Sequence, residues 1–434
     1  MHSLNATFSN LTMAFSPSRL AALFLLVTCG SVIVSYDLQL RESDVDMESL
    51  QQVTDFPQSP PQAIKAIIPE DSPIPVLVAA KRRLLHDKAQ QMAERERVDM
   101  YEVGHFPANF PLEEFLDGPG MPYYDADIHN QLVFPTSPKN EAFCEFQQDL
   151  ASAFHLPHTM QQLLRCFSWW QANPTKKPAL LLDKQFRLKS QFTEGFMKAL
   201  VETFGLRVRE PKKNFKAAAV HALTTGRNQS TTVYYQMRST QDAEVLRSGI
   251  IKQYKLESSG CRNNKYPTIG FLNRVGHRHV SNSHDIIQEI AASKINHTEI
   301  QYLDSFDGKS FLEQAAFMAN VDILISPHGA QLTNSIFMPQ CGGFLELFPR
   351  GYHWPELFGT LAASNGHLPV GLYTGPPENR TQDIKYFWST YELRIQAKHK
   401  SVEAHPGMSA LAIQELVLHR ESCCQQQLQD NNKS

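Results

Sequence analysis

Positive charge is not in excess in this chain. Its 41 Lys and Arg stand against 44 Asp and Glu, a net charge of −3. Affinity for a phosphate backbone needs clustered surplus cations, so no nucleic-acid partner is expected. The 7 cysteines contain no C-x-x-C pair, which leaves a zinc site unsupported. G-x-G-x-x-G is absent, so a dinucleotide-dependent dehydrogenase has little support. No D-x-D triplet sits where a strand could present it to a divalent cation. Asp125-Ala126-Asp127 has the spelling but lies in a proline-rich stretch. No short repeat is visible, which excludes a solenoid.

What remains is a globular composition, 42% hydrophobic and 20% charged over 434 residues. That is room for two ordinary domains plus appendages. Leu20 to Tyr36 carries no charge and is a little shorter than the ~20 residues of a membrane span. Thin early-secretory bilayers tolerate that length. Arg19 precedes it, and Asp37, Glu42, Asp44 and Asp46 follow with Arg41; the basic residue on the N-terminal side favours a cytoplasmic N-terminus. The expectation is a type II signal-anchor, with a cleaved signal peptide as the rival. Residues 1–19 are then a cytoplasmic tail, 20–36 the single span, and the body luminal. Cys29 falls in the span, as a small hydrophobe or a palmitoylation site. The other six, Cys144, Cys166, Cys261, Cys341, Cys423 and Cys424, form an even set suited to an oxidising compartment. Adjacent Cys423 and Cys424 are not expected to pair with each other. Sequons at Asn228, Asn296, Asn379 and Asn432 fit a luminal body.

Residues 37–140 read as a stem rich in Pro, Gln and acid. Within it, 79–100 has the composition of a solvated helix with a thin stripe of Leu84, Leu85, Ala89 and Met92. A dimerising coil is the alternative, but the heptads are few. From 141 onward strands alternate with helices. The expected elements are strand 179–182, helix 190–204 capped by Ser190 and closed by Gly205, and strands 206–208 and 217–223. Helix 240–255 follows, with Thr240 as its cap. A polar linker, 257–266, leads to strand 268–272, helix 282–294, strand 299–303 and helix 311–319. Alternation of this kind implies a parallel sheet with helices on both faces. The class is α/β, with one Rossmann-type half at 141–256 and another at 257–434.

One stretch, VDILISPHGAQLTNSIFMPQCGGFLELFP from Val321 to Pro349, carries the most information. An apolar run, 321–326, has the make-up of a buried strand. Pro327, His328, Gly329 and Ala330 make a tight turn, and 331–337 can wind into a helix. A second apolar run, 344–348, holds Glu346 in its middle. This is a βαβ unit whose turn offers backbone N–H groups and a helix start to a phosphate. His328 falls at the carboxyl end of a strand, where open α/β sheets bind ligands.

The HGAxLTN turn, with the following phenylalanine, proline and E-x-x-P strand, resembles the signature of glycosyltransferase family 61. These are inverting eukaryotic enzymes of the secretory pathway. The likeness extends upstream to TIGFLNR (Thr268 to Arg274) with Arg278 soon after, and downstream to His353, Trp354 and the LAASNGH stretch. Gln331 departs from the pattern, standing where a small residue or an acid is more usual. The resemblance implies a GT-B-like architecture, two Rossmann-type domains facing a cleft. The first would be on the acceptor side and the second would bind the nucleotide sugar. It implies a UDP-sugar donor, no cofactor beyond that substrate and no metal. The acceptor would be a glycan or glycoprotein, and the location the Golgi or endoplasmic reticulum membrane. Xylose, arabinose and N-acetylglucosamine all stay open.

As the bond to sugar breaks, the leaving diphosphate gathers negative charge that must be met by cations and oriented N–H groups. The candidates are Arg274, Arg278, His328 and the turn from Gly329 through Ala330, Gln331, Leu332, Thr333 and Asn334. Arginine's planar fork suits phosphate oxygens. Glu346, a carboxylate in an apolar strand, needs a partner; it either accepts ribose hydroxyls or anchors Arg274. Thr333 and Asn334 either cap the helix or touch phosphate. Inversion also needs a base for the acceptor hydroxyl. Asp183, after strand 179–182, is placed for it, and His221 is the alternative. A different class of function is a luminal binding or scaffold protein that keeps the fold without turnover. The intact HGAxLTN turn favours the enzyme.

Overall fold

The computed structural model describes residues 74–104, 141–145, 156–182, 190–209, 237, 239–261, 266–383 and 391–431. The Leu20–Tyr36 span, the 217–223 strand, Asp125, Asp127, Asp183 and His221 lie outside the described residues. Among the described residues no helix is long and apolar enough to cross a membrane.

In chain order the elements begin with α1 (Ile74–Glu96), β1 (Glu102–Val103), β2 (Glu141–Glu145), α2 (Leu156–Ala172) and β3 (Lys177–Leu181). Next come α3 (Gln191–Phe204), β4 (Arg207–Arg209), α4 (Thr240–Tyr254), β5 (Thr268–Leu272), α5 (Ser283–Ala292) and β6 (Glu299–Leu303). Then follow α6 (Phe311–Ala319), β7 (Ile323–Pro327), a 3-10 helix (Ala330–Phe337) and β8 (Gly343–Phe348). The chain continues through α7 (Pro355–Ser364), β9 (Leu368–Tyr373), α8 (Tyr391–Lys398) and α9 (Pro406–Asn431). The strands form a six-stranded sheet, ordered β1-β9-β8-β7-β5-β6, and a three-stranded sheet, β2-β3-β4. All pairings are parallel except that of β1 with β9. The α/β class and its parallel, Rossmann-like sheet are as expected from the alternation.

The larger sheet is covered on both faces, and side-chain alternation decides which residue goes where. Ile323 and Ile325 of β7 join Leu345, Leu347, Ile286, Ile290 and Met408 in one core, under α5 and α9. Leu324 and Phe344 point the other way, into a core shared by α2, α3, α4, α6, the 3-10 helix and α7. Each such side chain taken fully from water contributes roughly 1.5–3 kcal/mol. Strands buried on both faces therefore read as continuous apolar runs. Gly195 and Gly249 mark the tightest crossings in the second core. A Cβ at either would meet the Phe311 or Phe204 side chain within 2.3 or 2.6 Å.

Several local expectations are corrected. Helix α4 is capped by Ser239, whose hydroxyl accepts from the Asp242 N–H at 3.2 Å, not by Thr240. Ser190 holds the cap position of α3, but its side chain makes no capping bond; Thr193 Oγ1 donates to its carbonyl instead. Gly205 closes α3 in the left-handed region, φ 65°, as expected. The segment after His328–Gly329 is a 3-10 helix rather than an α-helix, and it starts one residue earlier. Helix α1 begins before residue 79 and is not merely solvated. Leu85 and Ala89 are buried against α9, Arg82 pairs with Glu415 at 2.7 Å, and Leu84 alone of the stripe stays exposed. The edge strand β1 and the long α9 had no sequence expectation.

Six cysteines form three disulfides, Cys144–Cys166, Cys261–Cys424 and Cys341–Cys423. Adjacent Cys423 and Cys424 thus pair with different segments, as expected.

Candidate functional site

Strand order reverses between β5 and β7. From β5 the chain moves outward to β6, then returns to the other side of β5 to make β7. In an open parallel sheet the crevice beyond the carboxyl ends at such a crossover is the usual ligand site. Arg274 and Arg278 follow β5 there, and His328 and Gly329 follow β7.

Asn273 shapes the first loop. Its Oδ1 accepts from the Arg274 and Val280 N–H groups at 2.9 and 2.8 Å, and its Nδ2 donates to the Val280 carbonyl at 3.1 Å. The loop turns back on itself with Arg278 at φ 61°. A non-glycine residue there costs about 1–3 kcal/mol and is held only by its surroundings. Those surroundings are its N–H bond to the Lys400 carbonyl, 2.9 Å, and the Tyr352 ring, 5.1 Å from its guanidinium carbon.

Both arginines are removed from water. Arg278 is 7% exposed and Arg274 half-buried. Burial first, then Arg278, pulls the Arg274 guanidinium down to about 10. Burial likewise lowers Arg278, opposed by Tyr352 and Glu346. Both remain cations at neutral pH. Their Nε atoms are buried without a hydrogen-bond partner. Arg274 lies directly over the turn: a Cβ on Gly329 would sit 2.7 Å from its Nη1. Gly329 is extended, φ 176°, so its backbone angle does not call for glycine, and a side chain there would displace the Arg274 guanidinium.

His328 is 2% exposed, and its Nδ1 lies 2.5 Å from Glu346 Oε1. Burial, then the charges of Arg278 and Arg274, hold it well below the ordinary histidine range. The imidazole is therefore neutral, with Nδ1–H donated to Glu346. A neutral imidazole adds no positive charge of its own, which corrects that expectation of His328, and the contact described for Glu346 is with His328. Tyr352, Phe358 and Phe348 pack about the imidazole with ring centroids 5.1, 5.3 and 5.5 Å away. Behind it His353, pushed down to about 3 by burial, is neutral too.

The rest of the turn divides. Ala330 is exposed. Gln331 Nε2 donates to Ser326 Oγ at 2.8 Å and to the Asn273 carbonyl at 3.1 Å, tying the 3-10 helix to the end of β5. Its length, where a small residue is more usual, is used to span that gap. Leu332, Thr333 and Asn334 are fully buried beneath the turn. Asn334 Nδ2 donates to Gln314 Oε1 of α6 and to the Gln331 carbonyl. Neither capping nor an open face describes these three. Among the described residues, the one group of three side chains that could hold a metal ion is Cys261, Cys341 and Cys424, and its sulfurs are in disulfides.

Asn273, Tyr352 and Lys398 belong to this neighbourhood and sequence reasoning passed over them. Asn273 was visible as the residue before Arg274; nothing local marks the other two.

The site can bind an anion between two cations and the start of a helix whose first N–H groups have no intrahelical acceptor. No curated protein matches the chain. The family model described as Glycosyltransferase 61 matches residues 148–345. That stretch includes both arginines and the turn from His328 to Asn334, and stops one residue short of Glu346. Over that stretch the chain matches glycosyltransferase family 61.

Proposed function

We propose that the protein is an inverting glycosyltransferase that transfers xylose, arabinose or N-acetylglucosamine from a UDP-sugar to a hydroxyl of a protein-linked glycan or polysaccharide. The observation that carries this reading is the pair of arginines above Gly329 at the strand crossover, Arg278 buried and Arg274 half-buried, neither in contact with a carboxylate among the described residues. A buried cation without a carboxylate is costly, and a diphosphate would supply the missing charge.

In this reaction the acceptor oxygen attacks the anomeric carbon, the bond to the diphosphate oxygen breaks, and UDP departs. Arg274, Arg278 and the N–H groups of Gly329, Ala330 and Gln331 meet the growing negative charge. His328, neutral and oriented by Glu346, presents Nε2 as an acceptor for a substrate hydroxyl. Asp183, which follows the middle strand of the smaller sheet, takes the acceptor proton. Residues 141–256 would form the acceptor-side domain and 257–434 the donor-side domain of a GT-B-like pair facing a cleft. Three disulfides and the exposed sequon at Asn296 suit a luminal body. The Leu20–Tyr36 span would anchor that body as a type II protein of the Golgi or endoplasmic reticulum membrane.

Release of sugar from a UDP-sugar panel by the purified body, with and without excess chelator, tests this. One donor should be turned over, and chelator should leave the rate intact because the arginines stand in for a cation. Activity abolished by chelator and restored by manganese would redirect attention to Asp125, Asp127 and Asp183 as ligands. No turnover of any donor despite tight UDP binding would favour a binding protein instead.

A further inference from the structure

The arginine pair is overhung by a segment far along the chain. Helix α8 ends at Lys398, with Ala397 packed against Tyr352 and Trp354. The residues that follow are zipped to the arginine loop. The Arg278 N–H donates to the Lys400 carbonyl at 2.9 Å, the Val402 N–H to the His279 carbonyl at 2.8 Å, and the Ser281 N–H to the Val402 carbonyl at 2.9 Å. His277 and His399 stack with centroids 3.9 Å apart. Lys398 is thus fixed from both sides, by the helix before it and the zipper after it.

We propose that Lys398 is a third phosphate-binding residue of the donor site, its ammonium taking a diphosphate oxygen that the two guanidinium groups do not reach. The inference rests on the donor-site reading above. The half-buried ammonium feels burial first, then Arg278 and Arg274, and is lowered accordingly. The helix end and the zipper thus set three cations in one neighbourhood, and the acids acting on the arginines are Asp307 and Glu346. Glu346 is already engaged by His328. A long flexible lysine turned inward against two like charges is unfavourable in an empty protein and favourable once a multiply charged anion lies between them. The division of labour is chemical: two planar forks fix oxygens in pairs, and a point charge serves whichever oxygen remains.

The test is calorimetric titration of the full protein with UDP, inorganic pyrophosphate and uridine. Lys398→Met should weaken UDP and pyrophosphate about 10-fold or more, the loss of one charge-assisted hydrogen bond. Uridine binding should not change. Lys398→Arg should recover part of the loss, and Lys400→Met, which removes an exposed neighbour, should bind as wild type. An unchanged melting temperature in Lys398→Met separates this from misfolding. Lys398→Met binding both phosphates as tightly as wild type overturns the inference while leaving the arginine site standing. A wild-type protein that binds neither UDP nor pyrophosphate overturns the donor-site reading, and this inference with it.

Discussion

Two sets of buried cations beside the six-stranded sheet are treated in opposite ways. At the amino end Asp322, just before β7, meets Arg420 of α9 at 3.2 Å, with both side chains almost wholly excluded from water. The second Asp322 oxygen accepts the Thr268 N–H that opens β5, at 2.9 Å. Arg380, beyond the carboxyl end of β9, is matched too, by Asp99 at 2.9 Å and by Glu102. After β5, Arg274 and Arg278 have no such carboxylate among the described residues. A matched buried cation holds elements together; an unmatched one is a vacancy for a ligand's charge. Burial alone separates neither kind, since Arg420 and Arg278 are 2% and 7% exposed.

The comparison can be broken most forcefully at its matched end. Asp322→Ala leaves the buried Arg420 without its carboxylate and should cost roughly 3–5 kcal/mol in urea unfolding. A variant as stable as wild type would show the pair to be dispensable, and the contrast would lose one side. At the unmatched end, Arg278→Gly should do the reverse. Glycine accepts φ 61° freely, so stability should hold or rise. Turnover with the identified donor should fall about 10²-fold, the loss of one donor that strengthens in the transition state. Loss of fold together with activity would place Arg278 among the structural cations.

The smallest expected effect concerns histidines at both ends. His328 and His353 near the site, and His367 near the amino end, are held low by burial, His353 and His367 at about 3. Their folded values lie below the unfolded value, so the unfolded chain takes up protons first as pH falls. Their stabilising contribution is complete above pH 6.5 and is lost on acidification. Each should cost about 1 kcal/mol between pH 6.5 and 5.5. Asp322 and Glu415, raised by burial, act in the opposite sense. Melting temperatures across pH 7.5 to 5.5 check this, and a flat profile would contradict it.

Much of this was legible in sequence because parallel sheets announce themselves. Strands Thr268–Leu272 and Glu299–Leu303 and helix Phe311–Ala319 match their expected ends, since apolar runs between turn signals leave little choice. Caps slipped by one residue, because Ser239 and Thr240 are chemically alike and only the backbone decides. The arginines and the His328 turn were legible as types in a pattern. Their charge states were not. His328 is neutral because of what lies over it, and Glu346 meets His328 across 18 residues of sequence. The unmatched cations at the carboxyl end, with Lys398 brought in from a later helix, depend on a fold that no local window contains.

The two disulfides of α9 also order events in time. Cys423 and Cys424 are made 82 and 163 residues after their partners. Until then Cys341 and Cys261 wait as thiols, and in the finished protein the sulfurs of Cys261, Cys341 and Cys424 all lie within 4.8 Å of one another. The early pair can therefore oxidise with each other before the right partners exist. Such a bridge would leave α9 without its covalent hold on the sheet. If that pair oxidises first, only thiol exchange can release it, and lowering disulfide isomerase in the expressing cell should then raise the Cys261–Cys341 form.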